Sequence, residues 1–96
     1  MDEKIACRTP AKDRDGVTNI PKWKFEVLEV AILDVLKQGD CPFADLKEKV
    51  RVRLDGDELN RLGSLGWHLT TVKLEMEVRG DIKRLDGVSP QMLTLG

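Results

Sequence analysis

The chain contains no tyrosine, one histidine, His68, and only two cysteines, Cys7 and Cys41. Catalysis by proton transfer or nucleophilic attack needs a positioned base, or an acid and a base whose pKa values are driven apart, and little here can supply either. No nucleophile motif surrounds Cys41, which precedes Pro42, or His68. The expectation is a non-enzymatic protein without catalytic residues. Cys7, Cys41 and His68 also lack the short ligand spacings of a zinc site, so neither a metal nor another cofactor is expected. Long apolar runs are missing too: the longest is Val30-Ala31-Ile32-Leu33, and the amino terminus, Met1-Asp2-Glu3-Lys4, is charged. Neither a membrane span nor an export signal is indicated, and a cytoplasmic protein with reduced thiols is expected. Broad basicity is absent as well, since 16 Lys and Arg face 17 Asp and Glu for a net charge of −1. Composition alone therefore does not announce a nucleic-acid binder.

Two further motifs are incomplete. Gly63-Ser64-Leu65-Gly66 is glycine-rich but has no P-loop lysine, and is accounted for as a turn leading into a helix. Asp55, Asp57 and Glu58 lack the 12-residue calcium-loop pattern and are better placed to cap a short helical turn.

What is present is material for one folded domain. The 96 residues are 41% hydrophobic and 34% charged, enough for one modest core. Residues 1–20 show neither helical nor strand periodicity, and Ile5 and Val17 stand as isolated apolar residues, so a flexible N-terminal arm is expected there. From Pro21, placed at a first helical position, Trp23, Val27, Val30, Ala31, Leu33 and Leu36 recur at spacings of three and four. Phe25, Leu28, Ile32 and Val35 widen the apolar face, which predicts a central helix covered on more than one side and stopped at Gly39. A second, amphipathic helix is predicted over 43–54 from Phe43, Leu46, Val50 and Leu54, and a single helical turn over 58–62.

The segment Val72-Lys73-Leu74-Glu75-Met76-Glu77-Val78-Arg79 alternates and fits a half-buried strand. It fits a helix as well. Leu65, Leu69, Val72 and Met76 make a 4-3-4 stripe, Ser64 is an available N-cap, and Gly80 is a good stop, which favours the helix. Residues 81–85 and 91–95 then predict two strands joined at Asp86-Gly87, with Pro90 at an edge. Charge is uneven: residues 25–60 hold five bases and nine acids, so the acidity belongs to the first two helices.

Three helices followed by a C-terminal two-stranded β-hairpin, with Arg79-Gly80 ending the third helix and Ile82 opening the wing strand, resembles a winged helix-turn-helix domain of the α+β class over residues 21–96. Gly66-Trp67, Thr71-Val72-Lys73-Leu74-Glu75-Met76-Glu77 and Gly80-Asp81-Ile82 also resemble a small family of uncharacterised bacterial proteins of about 100 residues, over most of 20–95. That family implies no activity of its own. The winged-helix resemblance implies binding of double-stranded DNA, in a transcription-regulatory role and as a dimer. Thr70, Thr71 and Lys73 would then stand on the contact helix, and Lys83 and Arg84 at the base of the wing.

A helical wheel puts Leu65, Leu69 and Met76 within about 60° of Val72 on the core side. Trp67, Thr70, Thr71, Leu74, Glu77 and Val78 then lie opposite. Few cations accompany them, while Trp67, Leu74 and Val78 form a second apolar stripe. Such a stripe suits a protein-interaction or dimerisation module binding a second copy or another protein, unless the N-terminal arm, with Ile20 and Trp23, folds across it.

Overall fold

The computed structural model describes residues 3–8, 17–85 and 91–96. In chain order the elements are β1 (Lys4–Cys7), β2 (Thr18–Pro21), α1 (Lys22–Lys37), β3 (Cys41–Pro42), α2 (Phe43–Arg51), α3 (Gly56–Leu62), α4 (Leu65–Arg79), β4 (Ile82–Leu85) and β5 (Met92–Leu95). The architecture is α+β, with four helices and two small sheets.

The arm expected over 1–20 is corrected where it is described: β1 and β2 pair antiparallel, with Ile5 opposite Ile20 and Cys7 opposite Thr18. Each strand has only four residues, too few for alternation to register as a pattern, yet Cys7 and Ile20 are buried in the common core. Cysteine behaves here as a small apolar residue. Residues 1, 2 and 9–16 of that expected arm lie outside the described residues.

Helix α1 starts one residue after Pro21, which closes β2. No side chain caps it; instead the Lys22 amide donates to the Glu3 carbonyl at 2.8 Å, so the hairpin satisfies one of its free N–H groups. The buried face is Phe25, Leu28, Ala31, Ile32, Val35 and Leu36. Of the leading stripe read from the sequence, Val30 is instead 66% exposed. The helix touches α2, α4, β5 and both N-terminal strands, the central position that its wide apolar face requires.

Helix α2 stops at Arg51, three residues before the expected end, and Arg53 and Leu54 continue in tighter hydrogen-bonded turns to Val50 and Arg51. Asp55 then caps α3 through a complete capping box: its carboxylate accepts from the Glu58 amide at 2.7 Å, and its own amide donates to Glu58 Oε1 at 3.0 Å.

The alternating segment is helix, not strand. Ser64 Oγ accepts from the Trp67 amide at 3.3 Å, Leu65, Leu69, Val72 and Met76 are buried, and Gly80 closes α4 in the left-handed region at φ 83°. That glycine lets the Asp81 amide reach back to the Met76 carbonyl and redirects the chain into β4.

Strands β4 and β5 pair antiparallel as expected, Ile82 opposite Leu95 and Leu85 opposite Met92. The Asp86-Gly87 turn and Pro90 lie outside the described residues. The two-residue β3 joins the other edge of β5, giving the order β3-β5-β4 and placing Cys41 opposite Leu93. Cys41, Ile82 and Leu93 are all buried, so one side of this sheet closes the core against α1 and α4.

Candidate interaction surface on the fourth helix

The core stripe of α4 fixes which of its side chains face outward. Trp67 is 52% exposed, Thr70 is exposed, and Thr71, Leu74 and Val78 are half-buried. The three apolar residues thus share the side assigned by their seven- and four-residue spacing. Trp67 meets the His68 ring edge-on at a centroid distance of 4.8 Å, and His68 Nδ1 lies 2.7 Å from the Ser64 carbonyl oxygen. The Thr71 hydroxyl donates to the Trp67 carbonyl at 2.9 Å, so its proton is committed within the helix.

Lys73 does not face outward, which corrects its assignment to a DNA-contacting surface. Its side chain is 4% exposed, with Nζ 2.9 Å from Glu77 Oε2. It donates to Gln91 Oε1 at 3.1 Å and lies 4.6 Å from the centre of the Phe43 ring. A residue at the flank of a core stripe is solvated when a helix packs on one side only. Here Phe43 of α2 and Gln91, next to β5, close over that flank.

Glu77, expected on the outward side, is only 7% exposed and bridges Lys73 to Arg84, whose Nε is 3.1 Å away. Arg84 is half exposed but already held by this carboxylate. Lys83 is exposed. Of the nucleic-acid candidates, Thr70 and Lys83 are therefore open to solvent, Thr71 is partly engaged, Arg84 is paired and Lys73 is enclosed.

Two residues were missed. Lys47 of α2 is exposed, and its ammonium would lie 3.5 Å from a β-carbon built on Gly66, which places a cation beside the first turn of α4. Glu75 is buried to 1% exposure; its Oε1 accepts from the Arg8 amide at 2.8 Å and from Arg8 Nε at 3.0 Å. Its Oε2 accepts from Arg8 Nη2 at 2.8 Å and Arg79 Nε at 2.7 Å. These bonds, chiefly those from the Arg8 side chain, hold the Glu75 carboxyl down at about 2 against the burial that would raise it. A signal existed: Glu75 falls about 60° from Val72 on the wheel, inside the apolar arc.

Both thiols are free and buried. Burial, with the Glu75 charge adding to it, pushes Cys7 up to about 11, and burial also raises Cys41. Neither thiol is suited to nucleophilic work near neutral pH.

The profile of a family of unknown function, DUF6958, matches residues 4–93. The chain belongs to that family. The DUF6958 match takes in both the N-terminal hairpin and α4, so the surface and the element clamped beside it lie within one family unit. No curated protein and no solved structure matches the chain significantly. Among the described residues of this DUF6958 member, no helix is long and apolar enough to cross a membrane.

Proposed function

We propose that the protein is a non-enzymatic, winged-helix-like interaction module that binds another protein chain through Trp67, Leu74 and Val78 of α4. The observation that carries this reading is Trp67, half exposed on a capped helix turn and braced by His68. A large aromatic side chain with little rotamer freedom to lose is suited to anchor an interface. Further along α4, the Thr71 hydroxyl donates within the helix and the Lys73 and Glu77 charges are paired within the molecule. The winged-helix description is supported by the order of elements: a helix and short strand, then helices, then two antiparallel strands, with the short strand completing their sheet. Helix α3 and the N-terminal hairpin are additions to that plan.

Double-stranded DNA is the second reading, favoured by exposed Thr70 and Lys83 and by Lys47 beside the start of α4. It ranks lower because duplex affinity rests on phosphate neutralisation, and Lys73 and Arg84 are already paired with Glu77.

A photo-crosslinking amino acid placed at position 67, with one at exposed Lys37 as control, tests the two together with sedimentation across salt concentrations. Discrete protein adducts from position 67 only, lost on adding Leu74→Asp, are expected, with any self-association tolerating salt. A protein without adducts that shows salt-sensitive duplex-induced NMR shifts over residues 66–84 would replace the interaction reading with the DNA one.

A further inference from the structure

A cleft of about 520 Å³ opens on the side of α1 that faces the α2–α3 connection. None of its lining residues belongs to α4 or to either sheet, so it is separate from the surface described above. Its apolar lining is Val27, Val30 and Ala31 from α1 and Leu54 from the turn before α3. Val30 is 66% exposed there, one helical turn from Glu26 and one from Asp34.

The charged groups around this lining are unbalanced. Glu26, Asp34 and Glu58 face a single cation, Arg53. That cation is spent within the molecule: Arg53 Nε donates to Asp34 at 2.7 Å, and its two terminal nitrogens donate to the Lys49 carbonyl at 2.8 Å and Gln38 Oε1 at 3.2 Å. Lys22, one turn before Glu26, is bound to Glu3 at 3.0 Å. Among the described residues Glu26, which also feels the Lys22 charge, and Glu58 form no ion pair and stand beside the apolar trough. Glu58 accepts from the Asp55 amide, a bond that leaves its charge in place.

We propose that this cleft is a second docking site, which takes an amphipathic helical segment of a partner protein carrying Lys or Arg beside its apolar residues. Val27, Val30 and Ala31 line the trough along α1 with Leu54 across from them, an apolar floor of the kind on which an amphipathic helix lays its apolar face. The excess of acid in this lining, Glu26, Asp34 and Glu58 against Arg53, selects the sign of the flanking charge: a basic segment is attracted, and an acidic one meets like charge. With an apolar surface on α4 and an acidic-rimmed cleft on α1, the chain carries two surfaces of different chemistry, as a bridging protein requires.

The probe is a pair of helical peptides of about 14 residues, one built of Leu and Lys and the other of Leu and Glu, titrated into the whole protein and followed by backbone NMR. Saturable shifts over residues 26–34 and 53–58 are expected with the Leu/Lys peptide and none with the Leu/Glu peptide. Glu26→Lys combined with Glu58→Gln should weaken binding by about tenfold or more. The glutamine preserves the hydrogen bond of the α3 cap, and an unchanged amide spectrum confirms the fold. Val30→Asn should weaken binding without touching charge. Equal binding of both peptides, shifts confined to α4, or indifference to charge reversal would overturn the proposal. A concentration-dependent dimer dispersed by Val30→Asn would also overturn it, by assigning the cleft to a second copy.

Discussion

Arg8 and Glu75, 67 positions apart, are joined by three hydrogen bonds, two from the guanidinium and one from the Arg8 backbone amide. The carboxylate lies in the body of α4 and the arginine directly follows β1, so this contact fastens the N-terminal hairpin to the helix that carries the candidate surface.

Because the Glu75 carboxyl is held at about 2 from its ordinary 4.5, its ionised form is favoured by the fold. That contribution is complete above the unfolded value and is lost as pH falls from about 4.5 towards 2; at neutral pH it is on the order of 2 kcal/mol, allowing for solvent around Arg8. Urea unfolding measured from pH 7 to pH 2 should show this loss. Glu75→Gln should lower stability at neutral pH and flatten the acid limb, whereas an unchanged acid limb would remove Glu75 as its source.

Breaking the Lys73–Glu77 pair from one side leaves a nearly buried charge. Lys73→Ala should cost about 2–3 kcal/mol, below the roughly 3–5 kcal/mol of a fully orphaned buried charge, because Arg84 still reaches Glu77. Lys73→Met combined with Glu77→Leu should recover most of it, because the charge then left without its partner, Arg84, is half exposed. Denaturation midpoints of the single and double variants decide this. A mild Lys73→Ala would mean that the pair is hydrated in solution.

Trp67 and Leu69 lie two positions apart on α4 and should behave oppositely. Leu69→Ala empties a core position and should cost about 2–5 kcal/mol. Trp67→Ala should change stability by less than about 1 kcal/mol while abolishing the position-67 interface. Thermal melts of both variants, set beside the crosslinking result, separate a surface anchor from a core residue.

Cys7, on the buried side of the hairpin strand β1, has its thiol pushed up to about 11, so it should resist a thiol reagent at pH 8 in the native protein. In a Cys41→Ser background, Arg8→Ala should accelerate labelling of Cys7 well before global unfolding. Equal rates with and without Arg8 would show that the hairpin does not depend on this clamp.

Much of the fold was legible because helix periodicity survives in long elements. The Leu65, Leu69, Val72 and Met76 stripe decided between helix and strand over 72–79, and Asp55 and Glu58 signalled the α3 cap. The short elements were not legible. Each N-terminal strand contributes one fully buried residue, Cys7 or Ile20, and β3 has only two residues, so no local pattern distinguishes them from a loop. The outward placement of Trp67 was readable from the wheel. The burial of Lys73 was not, since it depends on Phe43 and Gln91 arriving from other parts of the chain.

The sequence by itself determined where the helices of this protein run and which stripe of α4 enters the core, because apolar spacing and capping residues act within a few positions. Only the tertiary structure decided the fate of the charges. Lys73 and Glu77 looked like solvated helix residues, and Glu75 showed only its place inside the apolar arc, yet each is enclosed or nearly so by groups distant in sequence. Burying a charge is tolerable only when a partner meets it, and the partners here, Arg8, Gln91 and Arg84 among them, reach α4 only once both sheets have folded against it.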